Sequence, residues 1–201
     1  MELKDVIEKR ASVRQFTDES IPLETLKELV RRASLAPSIN NAQPWKFYVI
    51  TDKKILRQMA ESVKEKINSF FPEFENEKQK STKEAVIKFS TFFADAPALI
   101  AVAAKPYEAV VDKILDSSDF THVDFNTLRN YPNIQSIGAS VQNLLLTAVD
   151  LGYDACWLSG PLVAKDELEK ILGIEEPFSL STFVTVGKRA GEIKRKDKKS
   201  L

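Results

Sequence analysis

The 201-residue chain is poor in the residues that build crosslinks and metal sites, with one cysteine, Cys156, and one histidine, His122. A single cysteine excludes an internal disulfide and a cysteine-built metal centre, and the lone histidine argues further against zinc. Net charge is also missing, because 29 Lys and Arg offset 29 Asp and Glu. No field of the whole molecule therefore favours a nucleic acid, an anionic membrane or an acidic substrate, and partners must be argued locally. No apolar run is long enough to span a bilayer, and Met1-Glu-Leu-Lys-Asp5 lacks the basic-then-apolar pattern of a secretory leader. The expected location is the cytoplasm, with neither a membrane nor a nucleic acid as partner.

What remains is an ordinary globular composition, 43% hydrophobic and 29% charged. A chain of this size is most simply one domain, 1–201, with 189–201 as a basic C-terminal tail. Apolar positions at helical spacing predict helices over 3–10, from Ser20 and Pro22 to Ala33, and over 53–70, 77–89, 134–151 and 165–172. Short apolar runs predict strands at 47–50, 97–103, 155–158 and 180–186. The 134–151 helix is apolar around most of its circumference, which places it in the core, and Gly152 should end it. Residues 105–132 have mixed periodicity and read as helix plus mobile cover. Strands separated by helices leave α/β and α+β both open, with a sheet sandwiched by helices.

Four stretches carry chemistry. In Arg10-Ala-Ser-Val-Arg14 two guanidinium groups flank a hydroxyl. Extended backbone would alternate Arg10, Ser12 and Arg14 onto one face, and a helix would make the arginines i,i+4 neighbours. Either geometry suits the oxygens of a phosphate, although a solvated basic helix end would look the same. Pro37-Ser-Ile-Asn-Asn-Ala-Gln-Pro-Trp45 crowds three amides and a hydroxyl between prolines. Such amides complement the acceptor–donor–acceptor edge of an isoalloxazine, while a polar loop anchored by Trp45 is the plain reading. Small residues at 138–140 would admit a second backbone, such as one from another subunit, and the Ser159-Gly160-Pro161 turn exposes amides that could reach a flavin N5. The fourth stretch is the tail after Gly187, with seven basic residues in thirteen positions. It is either a solvated end or a return to Arg10 and Arg14; salt-dependent nucleic-acid binding is its weaker use. Cys156 reads as inert packing, His122 as a surface residue, and the phenylalanines at 70–74 and 89–93 as core or interface, part of which could cover a planar ligand.

The order and spacing of these stretches resemble the nitroreductase family of FMN-dependent, NAD(P)H-using oxidoreductases. Arg10-x-Ser-Val-Arg14 is similar to its opening phosphate motif, and Ala36-Pro-Ser-x-x-Asn-x-Gln-Pro-Trp45 to its most recognisable signature. The Val141-Gln-Asn-Leu-Leu-Leu helix, Leu151-Gly and Cys156-Trp-x-x-Gly160 follow in family order. The resemblance implies an α+β fold, a mostly antiparallel central sheet flanked by helices, with a C-terminal tail reaching the partner subunit. It also implies a homodimer with FMN at the interface. Arg10, Ser12 and Arg14 would take the phosphate, joined by Lys194 and Lys196 from the tail. Pro37, Ser38, Asn41 and Gln43 would approach from the other chain, and Ser159 and Gly160 would lie near the ring. Phe89, Phe92 and Phe93 stand where some relatives place polar flavin contacts. The implied chemistry is ping-pong transfer of hydride from NADH or NADPH through FMN to a nitroaromatic, quinone or similar small-molecule acceptor, with no side chain acting as nucleophile or acid. The wall selecting that acceptor would be 105–132. Other flavin chemistry on the same site (dehydrogenase, ene-reductase or dehalogenase) and an FMN-binding carrier or redox sensor are the alternatives.

Overall fold

The computed structural model describes residues 1–71, 73–117 and 119–193, with Asp116 described by its backbone only. Within them lie α1 (Leu3–Lys9), α2 (Leu23–Ala33), β1 (Trp45–Ile50), α3 (Lys53–Phe70), α4 (Glu77–Thr91) and β2 (Ala98–Ala104). Next come α5 (His122–Leu128), α6 (Pro132–Asp150), β3 (Asp154–Leu158), α7 (Lys165–Leu172) and β4 (Ser179–Gly187). Short 3₁₀ segments link several of them, at Ile39–Asn41, Phe92–Asp95, Val110–Ser117 and Gly160–Ala164.

The four strands form one sheet in the order β1-β2-β4-β3, and every neighbouring pair is antiparallel. That decides between the two open classes in favour of α+β. All seven residues of β2 are buried, as expected of a strand covered on both faces. Its side chains alternate between two cores. Ile100 and Val102 join Val184, Val186 and Ala155 against α2 and α6, while Leu99 and Ala101 join Phe183, Cys156 and Leu158 against α3 and α7. The register of β2 on β4 shifts between Val102 and Ala103.

Helix α6 occupies the core as its pattern predicts, with Ile137, Val141, Leu144 and Ala148 buried. It starts at Pro132, two residues before the apolar run, because a proline is favourable where no helical N–H bond is needed. Gly152, at φ 80°, follows its end. Helix α4 runs on to Thr91, its start fixed by the Asn76 carboxamide accepting from the Lys78 and Gln79 N–H groups.

The tail needs correcting at its start. Arg189 is built into the fold: it forms an isolated antiparallel bridge with Phe16 and an ion pair with Asp154 at 2.9 Å. Gly187 just before it has no room for a side chain, since a Cβ there would lie 2.7 Å from both the Phe16 ring and the Pro97 ring. Residues 105–132 contain the 3₁₀ segment Val110–Ser117 and α5, whose start carries a reciprocal Thr121–Asp124 capping box. Two consecutive left-handed residues, Asn130 (φ 61°) and Tyr131 (φ 54°), lead out of this cover into α6.

Candidate functional site

The first motif is extended. Helix α1 stops at Lys9, and Arg10, at ψ 126°, leaves the helical region. The Val13 N–H donates to the Ala155 carbonyl at 3.1 Å and Ser12 bridges Ala155 in parallel, so the segment lies along β3. Val13 turns inward and is buried, leaving Ser12 and Arg14 exposed and Arg10 half-buried. Among the described residues neither Arg10 nor Arg14 has an ion-pair partner, whereas Arg31, Arg32 and Arg189 are all neutralised by carboxylates. Both free cations act on the Cys156 thiol. Burial pushes its pKa up, and Arg14, hydrogen bonding by Ser12, and Arg10 pull it down. Two unneutralised guanidinium groups and a hydroxyl thus meet at one place on β3, the chemistry of an anion site.

That place opens on a cleft of about 550 Å³ between the 12–15 segment, α4 and residues 191–193. Ala85, Lys88, Phe89 and Phe92 line it from α4 and its continuation. Their i, i+3, i+4, i+7 spacing puts them on one helix face; the sequence alone offers part of the phenylalanine cluster as cover for a planar ligand but not Ala85 or Lys88. The Phe89 ring is 60% exposed and lies 6.0 Å from the Arg14 guanidinium carbon. Phe93 turns the other way into the core, stacked parallel to Phe183. The aromatic cluster therefore divides into a cleft wall and a core anchor. A cationic end and an apolar wall suit a planar ligand that carries an anionic group.

The amide loop stands apart, and none of Pro37, Ser38, Asn41 or Gln43 lines the cleft. Its backbone is held in an unusual form, with left-handed φ at Asn40 (46°), Asn41 (52°) and Gln43 (43°). Asparagine tolerates that region and glutamine does so less readily, so the loop stores backbone strain of order 1–3 kcal/mol per residue. Internal bonds fold it: Gln43 N–H donates to Ser38 Oγ at 3.0 Å and Gln43 Nε2 to Asn41 Oδ1 at 3.2 Å. Two further bonds tether it to other elements. Ile39 N–H donates to Ser136 Oγ on α6 at 3.2 Å, and Asn40 Nδ2 donates to the Tyr107 hydroxyl at 2.6 Å. Trp45 packs, partly buried, against the α2–α6 core and anchors the far end.

The third motif splits. Gly160 leans on α4, where a Cβ would sit 2.8 Å from Ser90 Oγ, immediately beside Phe89. Ser159 faces a second recess of about 480 Å³, with Ile134, Gly138, Trp157 and Thr182. Trp157 is half-exposed there, its Nε1 donating to Thr182 Oγ1 at 2.6 Å. Of the small residues on α6, Gly138 borders the Trp157 ring and Ser140 Oγ donates to the Ala33 carbonyl. Lys194 and Lys196 lie outside the described residues. Cys156 is buried as expected. His122 is partly exposed in the cover, its Nδ1 3.0 Å from Asp112 Oδ2 and its Nε2 against Asn126. Sequence reasoning missed Lys88, Tyr107, the role of Ser136 and the 191–193 wall, all of which depend on contacts between segments distant along the chain.

Comparison with known proteins adds an independent line. The nitroreductase family model matches residues 7–188. A protein of Archaeoglobus fulgidus named as an NADH dehydrogenase/NAD(P)H nitroreductase is 26% identical over 89% of this chain and 80% of its own. An iodotyrosine deiodinase of Haliscomenobacter hydrossis is 31% identical over 96% of this chain and 83% of its own. Among solved structures, a BluB-like flavoprotein from Clostridium difficile 630 superposes with a TM-score of 0.89 at 30% identity, covering 100% of this chain and 95% of the other. A nitroreductase with bound FMN from Bacteroides fragilis shares the fold at a TM-score of 0.73 and 18% identity, over 100% of this chain and 96% of its own.

Proposed function

The chain belongs to the nitroreductase family of oxidoreductases, and from that premise we propose that it binds FMN between the two subunits of a cytoplasmic homodimer and reduces an organic acceptor with electrons from NADH or NADPH. The observation that carries the reading is that Ser12 and Arg14 line an aromatic-walled cleft, Arg14 without an ion-pair partner among the described residues, with Arg10 outside the lining but acting on the same Cys156 thiol. These three hold the phosphate, with Lys194 and Lys196 as further cations from the tail. The family's FMN-bound fold neighbour supports the choice of flavin over other planar anions. When bound, FMN supplies the acceptor and donor of hydride, which is why no nucleophile or acid is required of the protein.

The chain's own residues bind and position. Ser159 and Gly160, at the end of β3, lie near the ring. Pro37, Ser38, Asn41 and Gln43 stand away from the cleft of their own chain and meet the flavin of the partner, so neither subunit is complete alone. All of this rests in one domain, 1–201, and the 105–132 cover forms the wall that selects a nitroaromatic, a quinone or a similar acceptor.

The similarity to an iodotyrosine deiodinase over nearly the whole chain favours a second reading, in which the acceptor is a halogenated aromatic. One experiment addresses both. Purified protein is expected to be yellow, to bleach under anaerobic NADH or NADPH, and to recover its colour with a productive acceptor. A panel of a nitroaromatic, a quinone and an iodinated phenol separates the readings, with iodide release marking the second. Protein that binds no FMN when it is added sinks the flavin assignment; bound flavin that neither nucleotide bleaches points to a carrier or sensor.

A further inference from the structure

We propose that Tyr107 is a positioning residue for the amide loop, acting through Asn40. The inference rests on the reading above that this loop meets FMN. The Tyr107 hydroxyl accepts a 2.6 Å hydrogen bond from Asn40 Nδ2. Its residue is buried to 5% exposure, while Asn40 itself is exposed. A fixed phenol therefore grips a surface side chain.

Asn40 is the first of the loop's three left-handed residues. Its φ and ψ set the direction in which Asn41, Ala42 and Gln43 leave the 3₁₀ turn Ile39–Asn41. Asparagine reaches the left-handed region at a cost and has other conformations open to it. The loop's internal bonds, Asn41 N–H to Ser38 O and Ala42 N–H to Ile39 O, do not engage the Asn40 side chain. Ser136 holds the loop one residue earlier, at the Ile39 N–H. Tyr107 thus fixes the conformer that places Asn41 and Gln43.

The neighbourhood of Tyr107 is itself anchored. Lys105 N–H donates to the Pro44 carbonyl at 2.8 Å, and the Lys105 carbonyl accepts from Asn133 Nδ2 of α6 at 3.3 Å. The stretch 105–107 is thereby tied to the middle and the far end of the amide loop and to α6. It is also the start of the 105–132 cover, so the segment proposed to select the acceptor and the loop proposed to meet the flavin share two hydrogen bonds.

The test uses the purified holoprotein, Tyr107→Phe and Asn40→Gly. The phenylalanine keeps the buried ring and removes only the hydroxyl. It is expected to weaken FMN binding about tenfold, the scale of one lost hydrogen bond. The flavin midpoint potential should also fall, as amide donors that stabilise the electron-rich reduced ring lose their aim. Asn40→Gly deletes the same bond from its other end and widens the backbone choice at residue 40, so it should weaken FMN binding at least as much. Tyr107→Phe should then add nothing in the Asn40→Gly background. Wild-type affinity and potential in Tyr107→Phe overturn the inference, as does an equal loss from Tyr107→Phe in both backgrounds. Should the wild-type protein bind no FMN, the functional reading fails and the positioning claim is read separately. Amide hydrogen exchange at 39–43 in the apoprotein is then expected to quicken in Tyr107→Phe, and unchanged protection overturns it.

Discussion

At the residue scale the anion site depends on side chains left without internal partners. Arg32 satisfies its guanidinium on Glu28 and Asp150. Among the described residues Arg14 has no ion-pair partner and lies 6.0 Å from the Phe89 ring, so its charge is available to a ligand. A hydrogen bond to a charged group contributes about 1.5–3 kcal/mol, two to three times a neutral one. Arg14→Gln is therefore expected to raise the FMN dissociation constant by roughly 10- to 100-fold with little change in apoprotein stability, as measured by fluorescence titration and thermal unfolding. Retained affinity would remove Arg14 from the phosphate site. The sequence showed the residue types of this site but not their geometry, because helical and extended backbones both brought the two arginines together. What decided it was the bond from Val13 to Ala155, a contact across more than a hundred residues of chain that no local pattern carries.

At the element scale, α2 and α6 are fastened by charge as well as by their shared core. Asp150, at the end of α6, binds the Met1 ammonium at 2.9 Å and Arg32 of α2 at 2.7 Å. Hydrogen bonds from the ammonium and then from Arg32 hold its pKa below the usual carboxylate range. Glu28 is lowered to about 2, chiefly by Arg31 and then Arg32. A carboxylate with a lowered native pKa stabilises the fold fully above its unfolded value, near 4, and loses that contribution as pH falls through the native value. Unfolding midpoints in urea should therefore drop between about pH 4 and pH 2, and Asp150→Asn should make the fall shallower; an identical slope in the variant would show that this fastening adds nothing. Element positions were largely legible, since short apolar runs located all four strands and a period of 3.6 most helices. Strand direction was legible only through the family resemblance, which implied the mostly antiparallel sheet observed, because an apolar run such as 97–103 reads alike in parallel and antiparallel sheets. The fold of 105–132 was hidden, its entry and exit depending on Tyr107 and on two left-handed residues that are not glycine.

At the scale of the whole molecule, the surface carries exposed apolar side chains, and the proposed second subunit is expected to cover some of them. Leu3 and Ile7 on α1, Ile134 on α6 and Trp157 on β3 are each at least 45% exposed. Trp157 stands over the second recess with its ring against Gly138 of the same chain, whereas Ser140 is buried against α2, so Trp157 and not the small residues of α6 presents the exposed surface there. Trp157→Glu is expected to convert a dimer to a monomer in analytical ultracentrifugation and to release FMN along with it. A variant that stays dimeric and yellow would move the interface elsewhere on the surface.

The strand order has a further consequence, for the timing of folding. β4 is the last strand along the chain, yet it sits inside the sheet, between β2 and β3. As synthesis proceeds from the N-terminal end, β1 and β2 can pair early, but β3 has no strand beside it until residues 179–187 have been made. The 12–15 segment lies against β3, and its cleft also needs residues 191–193. Non-local pairing of this kind is slow to form. The pocket's first residues are among the earliest translated, yet a nascent chain stalled before β4 would carry them without the strand that pairs with β3 and without the 191–193 wall.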